Sequence, residues 1–395
     1  MKILLFANTD WYLYNFRLPL ARALREAGAE VVLISPHGAY GARLEAEGFR
    51  WIPLPMQRRS LNPLRELRFL LHLGRLYRRE RPDAVHHFTI KCVVYGFVAA
   101  RVAGIRRRIN AVAGMGYVFT SHDWRARLLR PFVRALMKMA LSGKHTRLIL
   151  QNADDCAAFE QYSLVDAERV RLIRGSGVDT ERFRPRAHSC AEQQPFRVMF
   201  AARLLWDKGV REYVEAARQL KAAGLTIEFL LAGSPDPGNP AAVPVDTVRA
   251  WNDAGLITAL AHVDDMPHWL HQVDLAVLPS YREGMPRSLI EAAACGLPIV
   301  TTDAPGCREI VQQGVNGMLV PCRDAKALAD AIRFMHDHPA ERARMGAAGR
   351  ERVLREFDEK IVLAKTLDVY RELMPGEFPL SEDASNNCHR SGGRV

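Results

Sequence analysis

Arg203-Leu-Leu-Trp-Asp-Lys208-Gly209 sets two cations five residues apart, directly after a predicted strand. A guanidinium binds a phosphate bidentately and an ammonium acts as a point charge, so the pair suits a diphosphate; a solvated loop is the plainer reading. Further on, Glu283-Gly-Met-Pro-Arg-Ser-Leu-Ile-Glu291 holds two carboxylates eight positions apart. Gly284 permits close backbone approach, Pro286 suits a first helical turn, and the helix start offers free N–H groups to an anion. Carboxylates accept paired hydrogen bonds from vicinal hydroxyls, as on a ribose or hexose; a helix cap and a surface Glu are the alternative. Leu230-Leu-Ala-Gly233-Ser234 is a strand running into a turn where a nucleobase can lie against backbone. The segment Asp303-Ala-Pro-Gly306-Cys-Arg-Glu309, followed by Gly314-Val-Asn-Gly317, is turn-rich. Each of these last two is weak alone.

The elements that must position these residues alternate strand with helix. Strands are expected at 3–6, 31–35, 84–87, 108–112, 147–151 and 170–173, with helices at 18–26, 44–47, 64–79, 93–103 and 128–141 between them. A second series follows: strands at 197–201, 226–232, 275–278 and 298–301, and helices at 210–222, 266–271, 286–295 and 325–335. Such alternation predicts parallel sheets covered on both faces, with ligands beyond the carboxyl ends of the strands. Gly175-Ser-Gly177-Val-Asp179 and the stretch 185–195 read as a hinge. The expected division is a Rossmann-like domain over 1–177, a second over 178–357, a helix over 358–374 and a polar tail over 375–395.

With 395 residues the chain suits two domains, and 48% apolar with 25% charged residues is ordinary for a globular protein. Seven cysteines are scattered without a Cys-x-x-Cys pair, which argues against a zinc knuckle or disulfide framework. The first residues read as a buried strand rather than a leader, and no run approaches the roughly 20 apolar residues of a membrane span. The expected location is therefore cytoplasmic, or peripheral on the inner face of the membrane. Charge is uneven: residues 1–175 hold 29 Lys and Arg against 14 Asp and Glu, whereas the whole chain is +11. The first half should face something anionic.

Taken together and in order, these motifs resemble the family 4 retaining glycosyltransferases of the GT-B fold. The matching residues are Arg203…Lys208-Gly209, Ala232-Gly233, Glu283…Glu291, Ala294-Cys-Gly296-Leu-Pro298, Gly314-x-Asn-Gly317 and the interdomain Gly177-Val-Asp179-x-x-x-Phe183-x-Pro185. The resemblance extends to about Leu373. It implies two Rossmann-like domains facing across a cleft, a final helix crossing back to the first domain, and retention of anomeric configuration. It implies no cofactor and no metal, since cations and a helix start replace one, and no Asp-x-Asp motif is evident. Arg203 and Lys208 would bind the donor diphosphate, Glu291 the ribose and Glu283 the transferred sugar near its reacting face; Arg203, Lys208 and Glu283 form the catalytic set. Gly233 would border the nucleotide, and the backbone of Gly284 and Met285 would complete the cradle.

In the first half, Asn8-Thr-Asp-Trp-Tyr-Leu-Tyr-Asn15-Phe-Arg17 replaces the glycine-rich loop of many relatives. Asn15 and Arg17 either point into the cleft or cap a surface helix. His86-His87-Phe-Thr-Ile-Lys91 closes a strand, placing His87 and Lys91 among the acceptor candidates. Many relatives carry a histidine after the next strand, where this chain has Asn110-Ala-Val-Ala-Gly114-Met-Gly116. Gly114 would let an acceptor approach the backbone, and no catalytic base is assigned. These stretches resemble the branch that extends undecaprenyl-diphosphate-linked sugars, implying a UDP-sugar donor and a lipid-linked acceptor.

From Arg101 to Arg147 there are eleven Lys and Arg and one acid, Asp123. The segment from Trp124 is a basic amphipathic helix that suits an anionic membrane surface or a core-facing position with a solvated basic face. Two rivals share parts of the pattern. A sugar-nucleotide 2-epimerase has the same fold and donor. A nucleic-acid binder is suggested by basic charge alone, with no recognition motif, so nucleic acid is not an expected partner.

Overall fold

The computed structural model describes residues 1–57, 62–114, 124–186, 195–236 and 238–377. Two parallel sheets organise the chain. The first has seven strands in the order β3-β2-β1-β4-β5-β6-β7: β1 Lys2–Phe6, β2 Glu30–Pro36, β3 Arg50–Leu54, β4 Ala84–Phe88, β5 Arg107–Val112, β6 Thr146–Leu150 and β7 Val170–Leu172. Between them run α1 Leu18–Glu26, α2 Gly41–Ala46, α3 Pro63–Glu80, α4 Ile90–Ala103, α5 Trp124–Leu141 and α6 Ala153–Gln161.

The second sheet has six strands, β10-β9-β8-β11-β12-β13. Its elements are β8 Phe196–Ala201, α7 Val210–Ala222, β9 Ile227–Ala232, α8 Val245–Asp253, β10 Thr258–Ala261, α9 Met266–Leu270, β11 Leu275–Leu278, α10 Arg287–Ala294, β12 Ile299–Thr302, β13 Gly317–Val320, α11 Ala325–Asp337 and α12 Pro339–Glu356; α13 Glu359–Leu373 ends the series. The α/β class expected from the alternation is observed, and this pair of Rossmann-like sheets is the GT-B fold.

Both sheets reverse their winding beside the first strand of the series. β1 pairs in parallel with β2 on one side and β4 on the other. β8 does the same with β9 and β11. These are the topological switch points, and in open sheets the crevice beyond them is where ligands bind. The chain folds as two compact units, one of Met1–Ala111, Ala135–Leu148 and the chain from Leu363, the other of Val112–Arg134 and Ile149–Val362.

The strands are apolar on both faces because helices cover both. In the first unit Leu4, Phe6, Val32, Ile34, Tyr77 and Val85 share one core. In the second, Val198, Phe200, Tyr213, Phe229, Leu231 and Val277 share another. Tyr213 is fully buried, and its hydroxyl lies 2.9 Å from the carbonyls of both Val198 and Leu230, so a phenol inside the sheet is satisfied. Buried Glu80 is held by a bidentate Arg50 at 2.7 and 2.9 Å. No helix among the described residues is long and apolar enough to cross a membrane.

Candidate active site

The loops leaving β8 and β11, at the second switch point, carry the motif residues. After β8 the chain makes a 3-10 turn, Trp206–Lys208, ended by Gly209 in the left-handed region at φ +75°. A Cβ at Gly209 would lie 2.1 Å from the Pro279 carbonyl oxygen, so only glycine lets this loop close on the end of β11. Tyr281 N–H donates to Asp207 O at 2.9 Å, tying the two loops together.

That closure places Lys208 Nζ 2.5 Å from Glu283 Oε1, with both side chains largely buried. The cation of one motif and the carboxylate of another, 75 residues later, thus form one ion pair. Arg203 lies on the same post-β8 loop, half-exposed and 3.2 Å from Asp236. Gly233 follows β9 at φ +146°, and a Cβ there would lie 1.9 Å from the Ala202 carbonyl oxygen. The predicted nucleotide-side turn is therefore a position where backbone meets backbone.

Glu283 and Gly284 are clamped from several sides. Glu283 N–H donates to Pro305 O at 2.9 Å, and a Cβ on Gly306 would strike the Glu283 carbonyl oxygen at 2.5 Å. Asn152, fully buried at the start of α6, donates from Nδ2 to the Gly284 carbonyl at 2.7 Å. A Cβ on Gly284 would lie 2.9 Å from both the Ala113 carbonyl carbon and Gln151 Oε1. Gly114, at φ +91°, faces the Gly284 backbone nitrogen, 3.8 Å from where its own Cβ would stand. Gly114 and Gly284, expected on the acceptor and donor sides respectively, are thus neighbours. Met285 packs on Gly175, whose missing Cβ would lie 3.0 Å from Met285 Cγ.

Glu291 sits on α10 and accepts from Arg287 Nε at 2.9 Å, one helical turn away. Burial raises its carboxyl above the usual carboxylate range, opposed by the Arg287 charge. Pro286 stands at the N-cap position of α10 rather than within its first turn, and no side chain caps this start. Cys307 is buried close by, pushed up to about 12 by burial and then by the Glu283 carboxylate. Among the described residues no group of three His, Cys, Asp or Glu side chains could hold a metal ion.

Sequence reasoning missed the residues that brace this loop. Arg282 pairs with fully buried Asp155. The Asp155 carboxylate also accepts from Asn152 Nδ2 at 2.9 Å. Glu309 accepts from Ala153 N–H at 2.9 Å and from Arg174 Nε at 3.0 Å. The available signal was Asn152-Ala-Asp-Asp155, an N-cap pattern right after a strand.

In the first unit, the loop after β1 winds as a π-turn, Leu13–Arg17. Such turns are rare and often mark functional positions. Arg17 is buried, donates to the Tyr12 hydroxyl at 2.7 Å and lies over the Phe88 ring at 4.6 Å. It thereby joins the two loops of the first switch point. Asn15 Nδ2 donates to Trp11 O at 3.0 Å on the same turn.

His87 is inside the sheet and not at a ligand surface. Its ring nitrogens meet Tyr77 Oη at 3.1 Å and Asn110 Oδ1 at 3.0 Å. Gly96 makes the space, since a Cβ there would lie 2.3 Å from His87 Nε2. Burial lowers His87 to about 4, so the ring is neutral at physiological pH. His86 is equally buried, 2.8 Å from the Tyr370 hydroxyl of α13. Lys91 is drawn onto α3, donating to Gln57 O at 2.7 Å and pairing with Glu66 at 3.0 Å.

Comparison with known proteins agrees with this layout. The family described as "Glycosyl transferase 4-like" matches residues 2–152, and "Glycosyl transferases group 1" matches residues 195–338. The chain is 27% identical to an N,N'-diacetylbacillosaminyl-diphospho-undecaprenol alpha-1,3-N-acetylgalactosaminyltransferase of Campylobacter jejuni, covering 94% of this chain and 98% of that one. It is 24% identical to a UDP-Gal:alpha-D-GlcNAc-diphosphoundecaprenol alpha-1,3-galactosyltransferase of Escherichia coli, covering 81% and 83%. Among solved structures, Anabaena Alr3699/HepE in complex with UDP superposes with a TM-score of 0.74 at 19% identity, covering 94% and 100%. With one domain family on each sheet and the motif residues at the switch points, the chain belongs to the glycosyltransferases.

Proposed function

We propose that this protein is a retaining, metal-independent glycosyltransferase. It moves a hexose or N-acetylhexosamine from a UDP-sugar to an undecaprenyl-diphosphate-linked saccharide during surface polysaccharide or glycan assembly. The observation that carries the reading is the Lys208–Glu283 pair, 2.5 Å apart at the switch point of the second sheet. At rest the two charges neutralise each other. A donor diphosphate would engage Lys208 and Arg203, leaving the Glu283 carboxylate free to accept hydrogen bonds from the sugar. As the bond from the anomeric carbon to the diphosphate breaks, the two cations stabilise the growing negative charge, the task a metal performs in other transferases.

The uncapped start of α10 and the close-packed backbone at Gly284 and Met285 support a phosphate cradle there. Glu291 would hold the ribose, and Gly233 would border the base. On the acceptor side Asn15, Arg17 and Gly114 are proposed contacts, with His87 and Lys91 shaping the strand end behind them. The similarity to the Escherichia coli UDP-Gal transferase supports the UDP donor, and that relative together with the Campylobacter jejuni transferase supports the lipid-diphosphate acceptor. A protein acting on such an acceptor works at the inner face of the cytoplasmic membrane, and the basic first half suits that surface.

A thermal-shift series with nucleotide-sugars tests the donor assignment. A UDP-sugar should raise the melting temperature equally in EDTA and in magnesium. A shift that requires magnesium would contradict metal independence. Conversion of the sugar to an epimer without acceptor would contradict transfer.

A further inference from the structure

We infer that α3 is the element that seats the protein on an anionic lipid bilayer; the inference deepens the membrane reading above and rests on it. Buried Phe69, Leu73, Leu76, Tyr77 and Glu80 fix one face of this 18-residue helix against the first core. On the opposite side Leu64, Leu67 and Leu71 are 70%, 55% and 52% exposed, although leucine at helical spacing ordinarily faces a core. At 100° per residue the three fall within about 60° of one another, so they form one row along the helix. Val102 of α4 extends that row. It is 51% exposed and packs beside Gly74, while Arg78 donates to its carbonyl at 3.3 Å.

Exposed Arg68 and Arg75 run along one edge of the leucine row, and Arg78 lies within it. Among the described residues no unpaired acid of α3 stands on this face. The only acids of α3 are Glu66, paired with Lys91 at 3.0 Å, and buried Glu80, paired with Arg50. Apolar side chains flanked by cations match the layered chemistry of an anionic bilayer, where leucines enter the acyl boundary and arginines stay at the phosphates. A cavity beside the row, lined by Arg65, Arg68 and His72 and also by Glu66 and Phe69, offers a seat for a headgroup phosphate, the Glu66 carboxylate there being paired with Lys91. A second copy of the chain fits this face poorly, because an isologous contact would set one arginine row against its twin.

The test is flotation of the full chain with vesicles of phosphatidylethanolamine and phosphatidylglycerol, against neutral phosphatidylcholine vesicles. Wild type should float with the anionic vesicles. Leu64→Asn, Leu67→Asn and Leu71→Asn combined should cut the bound fraction about tenfold or more, with melting temperature and transfer to a water-soluble acceptor analogue unchanged. Arg68→Gln with Arg75→Gln should weaken binding and reduce its salt sensitivity. Flotation of the leucine variant at the wild-type level would overturn the assignment of α3. Loss of self-association in place of lipid binding would replace the bilayer by a second copy. Soluble transfer reports separately on the proposed function: if it fails in wild type while flotation behaves as stated, the reaction is wrong and the docking face stands.

Discussion

The Lys208–Glu283 pair sets the clearest expectation for single residues. Lys208→Ala leaves a largely buried carboxylate without its cation and removes charge from the proposed leaving group. Sugar transfer should fall by on the order of 10²–10³-fold or more. Glu283→Gln should lose transfer while still binding UDP, because the diphosphate contacts remain; loss of UDP binding as well would place Glu283 elsewhere. Gly233→Ala is a stability test. At φ +146° with a carbonyl oxygen 1.9 Å from the new Cβ, the substitution should cost about 2–4 kcal/mol in urea unfolding. The second-unit residues were legible in sequence because each is a short-range motif. Their mutual pairing was not, since the contact spans 75 residues and depends on Gly209 closing against Pro279. His87 misled for a related reason: Gly96, nine residues on, supplies the space that takes its ring inside.

At the scale of elements, α6 and the β11–α10 loop act together. Asn152→Ala would free the Gly284 carbonyl that it holds at 2.7 Å and leave Asp155 with fewer donors. The expected result is a loss of about 1–3 kcal/mol in stability and a raised KM for the donor. An unchanged KM would separate α6 from donor binding. The β4 histidines give a pH signature. His87 has its folded value near 4, below the ordinary 6.5, because burial disfavours the imidazolium. Unfolding therefore takes up a proton below 6.5, and this contribution is present above that pH and is lost as pH falls toward 4. At pH 5.5 the unfolded ring alone accounts for about 1.2 kcal/mol lost relative to pH 7, and His86 acts in the same direction. His87→Asn should flatten urea-derived stability between pH 7 and 5.5; an unaltered slope would mean that the ring titrates normally. Long amphipathic helices such as α7 and α11 were readable from their periodicity. β3 and β10 were not: one carries Pro53 and the other is an exposed four-residue edge. α12 was obscured by charge and by Gly346, which packs against the Gly296 carbonyl.

For the whole molecule, the two sheets share one plan, each reversing its winding beside its first strand, and the alternation of strands and helices in the sequence was enough to foresee two parallel sheets. Charge distinguishes them, since the basic residues concentrate in the first half. α5 continues that pattern: Leu128 and Phe132 are exposed on it, with Arg134 near Tyr162, while the side chain of Arg127 lies outside the described residues. Replacing Arg127, Arg130 and Arg134 by Glu should weaken vesicle binding and spare transfer to a soluble acceptor. Equal flotation would remove α5 from the membrane surface. The central claim is tested most directly by incubating the protein with an undecaprenyl-diphosphate-linked saccharide and a panel of UDP-sugars in EDTA, followed by mass spectrometry of the lipid. The account predicts a lipid-linked product longer by one hexose or N-acetylhexosamine, formed by wild type and lost in Lys208→Ala; no extension with any UDP-sugar, or equal extension by the variant, would contradict it.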